Sequence, residues 1–213
     1  MINSFLNFKE YSLYGKDCRI YDNLHYIFSP KNNNISKHLI SKINHISSDI
    51  LSEDINDLSK LHNYINSSSV NNFRINLYKR INNEIDWMKK IKDAVLPYLI
   101  NIMGPDLVIQ ANINLSIQLP EDRSSILPAH SDCISSDSPF QFNLWIPLTK
   151  SYKTNSMFLL SKEKSLSLIN DVLKSNHRNI LSVYSPSYEE FIKMNPGEYL
   201  LFQPSVIHGN VLN

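Results

Sequence analysis

Cysteine and glycine are both scarce in this chain, which holds 2 Cys and 4 Gly among 213 residues. Two thiols, Cys18 and Cys133, argue against a disulfide framework, and a cysteine-based zinc site lacks partners. Cys133 reads as a small residue packed beside the candidate ligands introduced below. The low glycine count accompanies an excess of Asn, Ile, Lys and Ser that fits genomic base composition, so no asparagine is informative by its type alone. An excess of one charge is also missing. With 21 basic and 20 acidic residues the net charge is +1, which gives nucleic acid or an anionic membrane little to bind. The lysines scattered through the polar N-terminal half read as a solvated surface. No apolar run is long enough to span a bilayer. The opening Met1-Ile2-Asn3-Ser4-Phe5 has no basic stretch followed by a long apolar one, so no signal peptide is expected and the expected location is the cytoplasm.

The remaining composition is that of a soluble globular protein, with 42% hydrophobic residues. The length allows one domain with a sizeable core, over residues 1–213. Residues 1–34 are mixed and aromatic-rich, ending in the loop Ser29-Pro30-Lys31-Asn32-Asn33-Asn34. From Ile35 to Ile65, Leu39, Ile43, Ile46, Ile50, Leu58 and Leu61 recur at helical spacing, with Ser47-Ser48 or Ser52 as the expected break. Ser67-Ser68-Ser69 marks a turn. A second helical stretch runs from Phe73 to Ile102, with Pro97 as its expected interruption, before Gly104-Pro105 ends the mostly helical part, 1–105.

After residue 106 the period shortens to two. Leu107, Ile109, Ala111, Ile113, Leu115, Ile117 and Leu119 alternate with Val108, Gln110, Asn112, Asn114, Ser116 and Gln118, which predicts a long strand with one largely polar face. That face either meets solvent or lines a wet cavity. Phe140 to Leu148 alternates in the same way, with Gln141, Asn143 and Trp145 sharing a face. Met157 to Leu160 and Glu198 to Phe202 read as short strands, and residues 162–181 as a helical or irregular insertion. Short strands without intervening helices predict a mainly β fold. The expectation is a double-stranded β-helix, or jelly roll, over 106–213 with flanking N-terminal helices.

His130-Ser131-Asp132 and His208 are the residues most suggestive of chemistry. In extended backbone, residues two apart point the same way, so His130 and Asp132 can reach one ion. His208 follows the last strong strand and the turn Gln203-Pro204-Ser205. Two imidazoles and one carboxylate are the set that holds non-haem Fe(II) on one face and leaves the opposite face open. A structural zinc site would usually be closed by a fourth ligand. Singly, each piece also reads as a surface pair or a loop histidine. His25, His38, His45, His62 and His177 carry no expected role beyond packing or exposure.

The runs Ile117-Gln118-Leu119-Pro120, Leu127 to Asp132, Ser138-Pro139-Phe140, Leu144 to Leu148, Asn155-Ser156-Met157 and Phe202 to Asn210 together resemble Fe(II)- and 2-oxoglutarate-dependent oxygenases of the phytanoyl-CoA hydroxylase-like superfamily. Within it they are most similar to the oxygenases of carbohydrate clusters and of the streptomycin-biosynthesis type. The resemblance covers residues 107–213. It implies Fe(II) on His130, Asp132 and His208, with 2-oxoglutarate as cosubstrate and O2 as oxidant. It also implies Gln110 touching cosubstrate or substrate and Asn143 touching 2-oxoglutarate, with Asn112 and Trp145 beside them. Related halogenases replace the carboxylate with a small residue, so Asp132 implies hydroxylation or another oxidation.

One feature of that family is missing. Its members usually place an Arg shortly after the second histidine, where a guanidinium can hold the distal carboxylate of 2-oxoglutarate through two hydrogen bonds. This sequence ends at Asn213 without one, and without the expected final strand. The expectation is a truncated C-terminus. If Asn213 is the natural end, Lys150, Lys153 or Arg123 would have to substitute. The expected substrate is a small polar molecule, a sugar or nucleotide-sugar of carbohydrate biosynthesis. Two rivals stay open: a cupin-like metal-dependent sugar isomerase or epimerase, and a non-enzymatic jelly-roll carbohydrate binder.

Overall fold

The computed structural model describes residues 20, 23–30, 34–83, 85–175 and 179–213. Residues 1–19 with Cys18, His177, and Lys31 to Asn33 of the expected loop lie outside the described residues. Helix α1 spans Asn34–Leu51 and buries Ile35, Leu39, Ile43 and Ile46 along one stripe. It stops before Ser52, which takes a left-handed φ of 55°, so the break falls there rather than at Ser47-Ser48. Ser48 supports the exit by accepting the Ile55 N–H at 2.9 Å. The turn at Ser67 to Ser69 is tied by the Asn66 side chain, which accepts the N–H groups of Ser68 and Ser69 at 3.1 and 3.2 Å.

Helix α2 spans Val70–Asn83 and α3 spans Ile85–Met103. Pro97 lies inside α3 and does not divide it. An internal proline costs about 3 kcal/mol, and burial of Val95, Leu99 and Ile102 on one face offsets it. Gly104, at φ 88°, closes the helix by donating its N–H to the Ile100 carbonyl at 2.9 Å. Among the described residues no helix is long and apolar enough to cross a membrane.

The expectation of a mainly β jelly roll is overturned. Among the described residues about 47% are helical and only 11% are in strands, in small sheets of three and two strands. Alternation along 107–119 selects a face but does not supply a partner strand. Here the partners are helix side chains and chain ends. Asn82 of α2 exchanges hydrogen bonds with the Ile113 backbone at 2.8 and 3.1 Å, and Arg74 donates to the Ile117 carbonyl at 3.0 Å. Gln118 donates to the Val211 carbonyl. Leu107, Ile113, Leu115, Ile117 and Leu119 still pack on the helical core, whereas Ile109 and Ala111 of the same face are exposed along with Asn112, Asn114 and Ser116. In the second alternating run only Asn143–Trp145 pairs as a strand.

The three-stranded sheet has the order β1 (His25–Phe28), β4 (Tyr199–Phe202), β2 (Asn143–Trp145), all antiparallel. Central β4 is buried on both faces. Tyr199 and Leu201 join the helical core, while Leu200 and Phe202 join a second cluster with Leu24, Leu159, Met194 and Val206. The two-stranded sheet pairs β3 (Phe158–Leu159) with β5 (His208–Gly209). Helix α4 (Lys162–Ser175) and short α5 (Asn179–Ser182) pack beside it through Ile169, Val172 and Leu181.

Candidate metal centre

Strand β5 carries His208 into the middle of a narrow antiparallel patch. On one side His208 pairs with Leu159 of β3. On the other it pairs with His130, and the two residues exchange N–H···O=C bonds of 2.9 Å in both directions. Residues directly opposite in such a pair project their side chains from the same face. The ring centroids of His130 and His208 accordingly lie 4.3 Å apart. Gly209 permits the close approach. A Cβ there would sit 2.7 Å from the Leu127 carbonyl oxygen, 2.9 Å from the Phe158 ring and 3.0 Å from Pro128.

Ser131 is extended at φ −120° and ψ 127°, so Asp132 returns to the face of His130. The turn at 203–205 holds this segment: the Pro204 carbonyl accepts from the Ser131 hydroxyl at 3.0 Å and from the Cys133 N–H at 3.3 Å. Nε2 of His130 stands 3.2 Å from Oδ1 of Asp132, and Nε2 of His208 stands 3.6 Å from Oδ2. One potential ligand atom from each of the three residues lies within 4.8 Å of the others. The three side chains are therefore close enough together to bind a metal ion.

The donor chemistry fits as well. Nδ1 of His130 lies 2.8 Å from the Pro128 carbonyl, and Nδ1 of His208 lies 2.9 Å from the Val206 carbonyl. A carbonyl can only accept, so each Nδ1 carries a proton; in the neutral ring Nε2 is then the unprotonated nitrogen open to a metal, and when His130 is charged the same Nε2 donates to Asp132. Burial pulls the His208 imidazole below its ordinary range, reinforced by the His130 charge, and the Val206 carbonyl and Asp132 only partly offset this. Burial also lowers His130, but the Asp132 hydrogen bond, the Pro128 carbonyl and the Asp132 charge together hold it above the ordinary range. Burial would raise Asp132. The His130 hydrogen bond, the His208 charge and the Asn143 hydrogen bond outweigh that and keep the carboxyl below its usual value. The Cys133 thiol is pushed up to about 11 by burial and the charges of Asp132 and Asp137, so it stays protonated and a weak ligand.

The other expected residues divide. Asn143 is at the centre, donating from Nδ2 to Oδ2 of Asp132 at 2.8 Å. Trp145 shares its strand face but packs into the Leu200–Phe202 cluster. Gln110 and Asn112 are exposed, and Gln110 donates to the Asn112 carbonyl at 2.7 Å. They line a cleft of about 1720 Å³ whose walls also include Asp132, Asn143, Trp145 and His208. Of the three cations considered as carboxylate anchors, Lys150 lines this cleft, whereas Lys153 and Arg123 do not.

Sequence reasoning missed Phe202, whose ring meets His208 edge-on at 4.9 Å. It also missed Gln141 and Asp137. Gln141 donates to Oδ1 of Asn143 at 2.9 Å and to Oδ2 of Asp137 at 3.3 Å. The shared face of Gln141 and Asn143 was the available signal for Gln141. Comparison with family models, with curated proteins and with solved structures returned no match for this chain.

Proposed function

We propose that this chain is an oxygenase in which His130, Asp132 and His208 hold one ferrous ion, with 2-oxoglutarate as cosubstrate. The observation that carries this assignment is the donor set: two imidazoles whose Nε2 atoms face one ionised carboxylate, gathered on one face. Three protein donors leave coordination positions for small molecules. When bound, the iron and cosubstrate supply oxidation of a C–H bond coupled to loss of carbon dioxide and formation of succinate.

The chain's own residues bind and orient. His130 and His208 are locked in register by backbone, and Asp132 is held from behind by Asn143. The same cleft that Asp132, Asn143 and His208 line also takes in Gln110, Asn112 and Lys150. The amides of Gln110 and Asn112 suit hydroxyl groups. The resemblance of residues 107–213 adds support, and the presence of Asp132 favours hydroxylation over halogenation. The assignment does not depend on a jelly-roll scaffold.

Anaerobic loading with Fe(II), followed by 2-oxoglutarate, O2 and a panel of nucleotide-sugars, tests it. Succinate is expected from the wild type and not from His130→Ala or Asp132→Ala. Iron binding without succinate would favour a metal-dependent isomerase. Sugar binding without iron affinity would favour a carbohydrate binder.

A further inference from the structure

Asp132 has two oxygens, and the structure treats them differently. Oδ1 faces Nε2 of His130 at 3.2 Å. Oδ2 receives the Nδ2 amide of Asn143 at 2.8 Å and stands farther, at 3.6 Å, from Nε2 of His208. Asn143 has one amide orientation that satisfies its neighbours, because a chain of groups beginning at Asp137 imposes it. Asp137, when ionised, only accepts, so it draws the Gln141 amide nitrogen toward itself at 3.3 Å. The same nitrogen meets Oδ1 of Asn143 at 2.9 Å. The Asn143 nitrogen is thereby left for Asp132. Both ends of the relay are anchored in backbone: the Asp137 N–H donates to the Asp132 carbonyl at 3.0 Å, and Asn143 pairs with Phe202 in the three-stranded sheet.

We propose that Asn143, steered by Gln141 and Asp137, is a positioning residue that keeps Oδ2 of Asp132 occupied, so that Asp132 serves a metal through Oδ1 alone. The assignment rests on the metal-centre reading above. A carboxylate free to rotate could take two positions on the ion, and the relay preserves one of them for a small molecule. Partners that orient a ligand in this way are typically worth about 10–100-fold in metal affinity.

The test is anaerobic titration with Co(II) alone, read by calorimetry and by the visible d–d absorption, on wild type, Asn143→Leu, Gln141→Ala and the double variant. Leucine keeps the shape of asparagine and removes the donor. Asn143→Leu is expected to bind Co(II) about 10–100-fold more weakly, with a changed visible band. Gln141→Ala is expected to weaken binding in the wild-type background and to have no further effect in the Asn143→Leu background, because it acts through Asn143. If Asn143→Leu does not fold, Gln141→Ala by itself must still weaken binding and change the band. Wild-type affinity and band in the single variants would overturn the relay and leave the metal reading intact, as would additive losses in the double variant. Absence of Co(II) binding by the wild type would overturn the metal reading and the relay with it.

Discussion

His130 and His208, far apart in sequence, are direct cross-strand partners joined by two backbone hydrogen bonds of 2.9 Å each. The spacing of the two imidazoles is therefore set by a ladder rung, and side-chain packing only refines it. Phe202 supports His208 from one side, and Asn143, the partner of Phe202 in the neighbouring sheet, holds Asp132. Two small sheets thus meet at the centre, one supplying the late histidine and the other the support for the carboxylate.

Removal of either imidazole is expected to abolish tight metal binding while leaving the chain folded. His130→Ala and His208→Ala each delete a donor but keep the backbone rung. The expected loss in Fe(II) or Co(II) affinity exceeds about 100-fold, since even residues outside the ligand set cost 10–100-fold. Calorimetric titration measures it, with circular dichroism as the check on fold. Affinity within a fewfold of wild type in either variant would rule that imidazole out as a ligand.

Gly209→Ala is expected to damage the same centre without touching a donor. The new methyl would meet the Leu127 carbonyl oxygen and the Phe158 ring inside 3.0 Å, so the 127–130 segment must move away from β5. Overpacking of this kind costs about 1–3 kcal/mol. Denaturant unfolding should show that loss, and metal affinity should fall with it. An unchanged midpoint together with unchanged affinity would show that the close approach is not required.

The candidate site was more legible in the sequence than the fold was. The spacing of His130 and Asp132 needs only extended backbone to bring them together, and Ser131 supplies it. The partner of His208 was not written in any local pattern, because a ladder rung between distant segments depends on the path of the whole chain. The alternating run 107–119 shows the opposite case. Its period chose buried Leu119 and the partly buried Ile113, Leu115 and Ile117, though Ile109 and Ala111 on the same face are exposed, and it did not show what the backbone would bond to. Asn82 and Arg74 from α2 took that role, and a pattern of apolar positions carries no information about them. The helical stretches were legible because their hydrogen bonds are internal and their stripes are long, but the second one comprises α2, ending at Asn83, and α3, beginning at Ile85, and is not interrupted at Pro97, where the sequence suggested a break.

Metal affinity is expected to fall as pH falls. In the folded chain His130 sits above the ordinary histidine range while His208 sits below it, so protons compete first at His130. Above the His130 pKa its Nε2 is free for a metal; below it the same atom carries a proton and must release it on binding. Asp132, held below the usual carboxylate range, stays ionised throughout. Titrations in two buffers of different ionisation enthalpy should reveal proton release that grows as pH drops from about 8 to 6. A pH-independent affinity with no proton release would exclude His130 Nε2 as a ligand.

Glu190 gives a pH effect of the same sign on stability. Its carboxylate accepts the Tyr184 hydroxyl at 2.8 Å and the Ser187 N–H at 2.7 Å, and it pairs with Lys164 of α4. Burial would raise its pKa, but the Lys164, Tyr184 and Ser187 hydrogen bonds outweigh that and hold it below the usual value. A folded pKa below the unfolded one means that the stabilisation is present above the unfolded value of about 4.3 and is lost as pH falls through the folded one. Lys164 is about half exposed, with 47% of its side chain accessible, so solvent screening limits its share and a total near 1 kcal/mol is expected. Glu190→Gln should therefore melt below the wild type at pH 7, and the gap should close as pH falls below about 4. A gap that stays constant across that range would mean the contribution is packing and not charge. The consequence reaches the metal centre through the chain itself. The 187–190 turn leads directly into Phe191, which bridges to Phe158 of β3, and β3 is the partner of the strand that carries His208. Loosening the turn should therefore loosen one wall of the site, so that Co(II) affinity in Glu190→Gln falls by less than the about 10–100-fold expected of a residue that holds a ligand directly, with all three donors intact.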